Sequence, residues 1–283
     1  SKLLAAVGYD ASTPDPAGGI IRRQPDGTPN GVLEEAAHFQ VLGAALSGID
    51  AVGMQELIKA GAGLWASYGY TTGQEGRANP DVTEGFKMAG AQGLLPIDIA
   101  IYPDVLIDRD YIAANVSWEY ENRVRVVGAK ITIDGSPQGF TALRDRPYYD
   151  PVGDYPADWV GYAAAARDDV FAAVAWAYEN DIQIITHANG EGASDMLIAA
   201  LRTAEKAHGA GDRRPVLIHG QLLREDQIDQ YQDLGAFLSL FPMHTFYWGD
   251  WHRDHTVGPI NGEKFSPTGW VRQRGMMFGS HHD

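Results

Sequence analysis

The chain has 283 residues, 45% of them hydrophobic and none of them cysteine, and its formal net charge is −15. That length and apolar content suffice for one large core of the size common in α/β barrels. Without cysteine there are no disulfides and no thiolate ligands, so any metal must rest on histidine, carboxylate or a modified lysine. The acidic balance argues against nucleic acid and anionic membranes, which both need a positive surface. No run of about 18 or more apolar residues is present, so no membrane span is expected. The first ten residues are too short and too soon interrupted for a signal peptide, and the absence of cysteine is compatible with a cytoplasmic location.

Residues 1–48 are rich in Gly, Pro and Asp, as in Thr13-Pro-Asp-Pro-Ala-Gly-Gly19 and Asp26-Gly-Thr-Pro-Asn-Gly31. These are turn sequences, with short strands expected at 19–23 and 31–33. The segment reads as a small excursion packed on a larger unit, residues 49–283. Beyond residue 50 the pattern becomes regular. A helix is expected over 52–66, a strand over 69–74, and a helix over 81–92 with Asp81 near its N-cap. A strand at 94–102, a short helix at 108–115 and a strand at 123–133 follow. Then come a helix at 157–179, a strand at 182–187, a helix at 191–208 and a strand at 215–219. A helix at 223–233, a strand at 236–241 and a last strand from 276 complete the series. Seven strands, mostly separated by helices, predict a parallel sheet with right-handed crossovers. The expected class is α/β, a (β/α)8 TIM barrel with about seven strands present, one short of closure.

Three of these strands stop on metal-capable side chains: Ile182 to His187, Pro215 to His219, and Met276 through Ser280-His-His-Asp283. Strand ends in a parallel sheet lie about 5 Å apart, so His187 and His219 can share one metal at about 2.0–2.1 Å. A carboxylate at Asp283 would be costly to bury without a partner, and a metal with its water supplies one. Lys130 lies inside the apolar run Val126 to Ile133, where lysine is rarely tolerated unpaired. Two readings stand open for it: a salt bridge to Asp134 on the same strand face, or an amine carbamylated to bridge two metals. The segment Phe241 to His255, expected as a loop, interleaves His244, His252 and His255 with Phe246, Tyr247, Trp248 and Trp251. It reads either as a substrate-pocket wall or as aromatic packing. Of His281 and His282, alternation lets only His281 share the face of Asp283.

These residues resemble the amidohydrolase superfamily, within it the YtcJ-like amidohydrolase 3 family. The matching stretches are 13–19 with 26–33, Gly69-Tyr-Thr-Thr72, Lys130-Ile-Thr-Ile-Asp-Gly-Ser136, Thr186-His-Ala-Asn-Gly190, Ile218-His219 and Gly279-Ser-His-His-Asp283. The resemblance implies a distorted (β/α)8 barrel of the metal-dependent hydrolase type holding one or two divalent ions, usually zinc. Lys130 (often carbamylated in the family), His187, His219 and Asp283 take four of the family's ligand positions. The family's first-strand His-x-His and its β-sandwich are missing, so the chain is expected to be an interior segment completed by the remaining segments of the same polypeptide.

The expected chemistry is metal-activated hydrolysis of a non-peptide carbon–nitrogen bond in a small amide or N-acyl or N-formyl compound. Asp283 would serve as proton carrier and His219 as a ligand that polarises the carbonyl. His244, Phe246, Trp248, Trp251 and His281 are the expected substrate-binding residues. A lactonase or decarboxylase would use the same ligands. A metal-free barrel acting as a binding or regulatory module is the alternative from a different class. A homo-oligomer is compatible with the sequence.

Overall fold

The structure, a computed structural model, describes residues 2–282. Helix α1 (Lys2–Ala6) precedes a hairpin of β1 (Gly19–Arg23) and β2 (Pro29–Glu35), then α2 (Ala36–Leu46) and α3 (Ala51–Ser67). Next come β3 (Thr72–Ala78), α4 (Pro80–Ala91), β4 (Asp98–Pro103), α5 (Arg109–Asn115), β5 (Val124–Val126) and β6 (Ala129–Thr132). The second half runs α6 (Arg167–Glu179), β7 (Ile184–Ala188), α7 (Glu191–His208), β8 (Val216–His219), α8 (Glu225–Asp233) and β9 (Phe237–Leu240). Helix α9 (Met243–Trp251), a π-helical turn (His252–Thr256), α10 (Pro259–Gly262), α11 (Thr268–Gln273) and β10 (Phe278–Ser280) end it.

The hairpin is antiparallel. The remaining strands form two parallel sheets, β3-β4-β5 and β10-β9-β8-β7-β6. They are joined through one broken strand. Val126 pairs with Ile101, but Lys130 pairs with Asp104. Four steps on one strand therefore match three on its neighbour, which is a β-bulge with one extra residue. The expected single strand over 123–133 is thus split at Val127–Gly128. Gly128 is where the chain changes partners: the Ala129 N–H donates to the Gln183 carbonyl at 2.8 Å. A side chain at 128 would collide with that same carbonyl. With β5 and β6 filling one position, seven positions run continuously from β3 to β10. Each of these two outer strands has one hydrogen-bonded neighbour among the described residues.

Other boundaries differ from the sequence reading for local reasons. The helix expected from 157 begins only at Arg167, because 157–166 are folded against the loop after β6. Gly161, at φ 75°, touches the Ala142 carbonyl too closely for any side chain. Asn79, not Asp81, caps α4, accepting the Val82 N–H at 2.8 Å with Pro80 in the first turn. Helix α2, within the Gly- and Pro-rich excursion, has no counterpart in the sequence reading. The loop expected at 242–255 is largely helical.

The main core lies between the larger sheet and helices α6 and α7. Leu197 and Leu201 lie one turn apart on one face of α7, against Val170, Ala173, Val174 and Ala177 of α6. Full burial of each leucine stabilises by roughly 1.5–3 kcal/mol. Helix α3 is different. It is apolar, yet of its 17 residues only Ala62 is buried, while Val52, Leu57 and Leu64 are exposed. A groove of about 690 Å³ runs along it beside β3 and α4. Among the described residues no single helix is long and apolar enough to cross a membrane; α2 and α3 reach that content only jointly, across a 117° bend.

Candidate metal centre

The centre is built where β6, β7 and β8 end. Lys130 stands opposite Ile185, His187 opposite Ile218, and Ala188 opposite His219. Paired residues of a parallel ladder share a face and neighbours along a strand alternate. Lys130, Ile185, His187 and Ile218 therefore point one way. Alternation alone would aim His219 the other way. Its backbone is left-handed, with φ 78°, and Gly220 follows at φ 54°. A non-glycine residue in that region costs of order 1–3 kcal/mol, the kind of strain found at functional sites. The consequence here is that the rings of His187 and His219 come together, centroids 4.5 Å apart at 79°.

Each ring has one nitrogen engaged by protein. His187 Nε2 lies 3.0 Å from the Gly135 carbonyl and 3.5 Å from Asp134 Oδ1. The Asn189 amide nitrogen lies 3.2 Å from the same atom, so Nε2 is the nitrogen that the protein holds. His219 Nδ1 is 2.9 Å from His281 Nε2, and His281 Nδ1 is 2.8 Å from Ser239 Oγ. The β9–β10 ladder makes this relay. Ser239 stands opposite Gly279, and the His281 N–H donates to the Leu240 carbonyl at 3.0 Å.

Asp134 fixes the neighbourhood. Fully buried, it accepts backbone N–H groups of Asn189 (2.9 Å), Gly190 (2.8 Å) and Leu143 (2.9 Å). Its carboxylate sits at the N-terminus of α7, where negative charge is favoured. Burial raises its pKa to about 7, and the three donors offset only part of that shift. Asp134 also lies 3.5 Å from His187 Nε2.

Lys130, His219 and His281 line one cavity of about 400 Å³, with Tyr70, Gln74 and Ser239. Burial, then the Lys130 charge, depresses His187 to about 3. Burial, then His187, holds His219 well below the ordinary histidine range. Burial, then Lys130, lowers His281 to about 4. All three imidazoles are therefore neutral near pH 7, the form that binds a metal.

His282 lines the same cavity, its Nε2 2.8 Å from Tyr70 Oη and its ring 5.2 Å from that of Trp65. The other expected residues lie elsewhere. His244 is buried with its Nδ1 3.2 Å from His252 Nε2. The His252 ring is stacked 3.9 Å from Phe265. Phe241 bridges the two histidine groups, 4.7 Å from the His244 ring and 5.0 Å from that of His281. Phe246 and Trp248 are exposed on α9. Trp251 donates from Nε1 to the Gln138 carbonyl at 3.2 Å. His244, Phe246, Trp248 and Trp251 do not line the Lys130 cavity; His281 does. Asp283 lies outside the described residues.

The donor chemistry fits a divalent ion: two adjacent neutral imidazoles, each with one nitrogen fixed by a protein partner, the usual outer-shell arrangement of metal histidines. Among the described residues no group of three His, Cys, Asp or Glu closes around one position. Ser239 escapes sequence reasoning. Its only signal is a polar residue in the apolar strand Phe237-Leu-Ser-Leu240.

Comparison with known proteins places the chain in one family. The sequence profile of the amidohydrolase family matches residues 1–283. YtcJ of Bacillus subtilis (strain 168), an amidohydrolase by name, is 26% identical over 253 residues, covering 86% of this chain and 45% of its own. The protein LONG AFTER FAR-RED 3 of Arabidopsis thaliana is 25% identical over 264 residues, covering 86% of this chain and 43% of its own. This chain thus spans less than half the length of either. An uncharacterized metal-dependent hydrolase from Pyrococcus furiosus superposes with a TM-score of 0.75 over all of this chain and 55% of its own, at 18% identity.

Proposed function

The chain belongs to the amidohydrolase family, and from that premise we propose that it is the metal-binding part of a hydrolase acting on a non-peptide carbon–nitrogen bond. The substrate is a small amide, N-acyl or N-formyl compound. The observation that carries this reading is the pair of neutral imidazoles of His187 and His219, 4.5 Å apart with Lys130 on the same face. Residues 49–283 supply strands two to eight of a (β/α)8 barrel, with 1–48 as an excursion packed on it. Remaining segments of the polypeptide would fill the groove along α3 and the gap between β3 and β10. The seven continuous strand positions and the superposition on the Pyrococcus furiosus protein support that architecture.

His187 and His219, with Lys130 as a carbamate and Asp283, would hold one or two zinc ions. When bound, such an ion supplies a water of lowered pKa and a Lewis acid for the carbonyl. The protein's own residues do the rest. Ser239 and His281 orient the His219 ring, and the Gly135 carbonyl and the Asn189 amide hold the His187 ring. Asp283 takes the proton of the attacking water and delivers it to the departing nitrogen. His244, Phe246, Trp248, Trp251 and His281 would contact the substrate, His281 from within the cavity and the others from the α9 side.

A panel of N-acyl and N-formyl amines incubated with the zinc-supplemented protein tests this, read by released amine. Release that disappears in His219→Ala supports the reading; no release from any member, or release unchanged in that variant, overturns it. The alternative, a metal-free binding module, is favoured by one observation, the lack of a three-ligand group among the described residues.

A further inference from the structure

A second histidine pair lies across Phe241 from the first. Met243 opens α9 just after Leu240, the residue that stands opposite His219. His244, in the first turn of α9, is therefore at the C-terminal ends of the parallel strands, the side on which such sheets bind ligands. The Phe241 ring lies 4.7 Å from that of His244 and 5.0 Å from that of His281. His244 is also near enough to act electrostatically on both His219 and His281.

The His244 and His252 rings are parallel to within 9°, with centroids 5.5 Å apart. Nδ1 of His244 is 3.2 Å from Nε2 of His252. That centroid separation is close to the greatest such a contact permits, so the rings meet edge to edge in an in-line N–H···N bond. Phe265 lies parallel to both rings, to within 13°. Burial holds both imidazoles below the ordinary histidine range, so each carries one proton at pH 7.

The far end of the chain decides which nitrogen of each ring carries it. His252 Nδ1 is 3.0 Å from Thr256 Oγ1, and that hydroxyl donates to the Pro137 carbonyl at 3.5 Å. With its one hydrogen committed there, the hydroxyl accepts from His252 Nδ1. His252 Nε2 then accepts from His244 Nδ1, which leaves His244 Nε2 with a bare lone pair. That nitrogen has no hydrogen-bond partner among the described residues and is not sealed from solvent. The wiring parallels that of His219, which meets His281 and, through it, the Ser239 hydroxyl.

We propose that His244 Nε2 accepts the N–H of a secondary amide, which makes His244 the residue that selects such amides over N-alkylated ones, with His252 and Thr256 as positioning residues that fix which nitrogen is bare. Calling the bound amide a substrate rests on the hydrolase reading; the tautomer and the binding do not. The test follows the ring nitrogens of 15N-labelled protein without added zinc at pH 7, by two-bond proton–nitrogen correlation, with His244→Gln to identify the His244 pattern. In the free protein Nδ1 of His244 should be protonated and Nε2 bare. Acetanilide should shift the Nε2 resonance saturably. N-methylacetanilide, which lacks the N–H, should bind at least about tenfold more weakly, the loss expected for one hydrogen bond with its acceptor left unpaired. Thr256→Val removes the oxygen that receives the His252 proton and should disturb the tautomer and weaken acetanilide, while Thr256→Ser should preserve both. That pair identifies the pattern if His244→Gln does not fold. Because no zinc is added, failure of the amine-release assay and failure of this contact are read separately. A protonated Nε2 in the free protein, no saturable shift with acetanilide, or equal affinity for N-methylacetanilide overturns the proposal.

Discussion

His187 and His219 end adjacent parallel strands one residue out of step, yet their rings meet at 4.5 Å because His219 alone of the pair has a left-handed backbone. The strain is local and the return is a shared face for two neutral imidazoles. Because the His219 ring is further held through His281 by Ser239, a change two residues from any ligand should be felt at the metal.

Ser239→Ala removes the hydroxyl at the far end of that relay. We expect zinc affinity to fall about tenfold, the usual cost of losing an outer-shell partner, with little change in melting temperature. Competition against a chromogenic chelator measures the first and thermal unfolding the second. Unchanged affinity would show that the relay does not orient His219.

His252 gives a clean pH dependence. Burial, then the neighbouring His244, lowers it to about 3, against about 6.5 in the unfolded chain. Below pH 6.5 the unfolded state therefore binds a proton that the folded state refuses, and stability rises with pH through that window. Acidification from pH 7 to pH 5 should cost about 2 kcal/mol from this residue alone. Chemical denaturation at both pH values should show a smaller loss in His252→Gln. An equal loss would place the pH sensitivity elsewhere.

Two leucine substitutions separate the packed half from the unpartnered one. Leu197→Ala in α7 opens a cavity in the main core and should cost about 2–5 kcal/mol. Leu57→Ala in α3, exposed along the open groove, should change the stability of this chain by less than about 0.5 kcal/mol. Equal costs in urea titrations would mean that the α3 face is covered.

Gly128→Ala tests the bulge. Its methyl group would strike the Gln183 carbonyl that holds the Ala129 N–H. Backbone has little room to give, so a loss of about 1–3 kcal/mol is expected, visible as a lower urea midpoint.

Much of this centre is legible in the sequence for simple reasons. His187 and His219 each close a short apolar run, and Lys130 interrupts one. The helix Glu191–His208 is bounded by Gly190 and Gly209 and spaces its apolar residues on one face. What stays hidden depends on contacts between distant segments. Val124 to Thr132 looks like one strand, because a bulge shows only in the pairing of Lys130 with Asp104. Ser239 matters only once β10 brings His281 beside it. Helix α9 carries aromatic residues on all sides, so no periodic stripe announces it.

The central claim is that His187 and His219 form half of a metal site, and metal content tests it most directly. The protein and a His187→Ala/His219→Ala double variant would be purified identically and analysed by inductively coupled plasma mass spectrometry. The account predicts close to one equivalent or more of zinc, manganese or iron in the parent and none in the double variant, with both folded. A well-folded parent free of metal, or a double variant that retains it, would contradict the account.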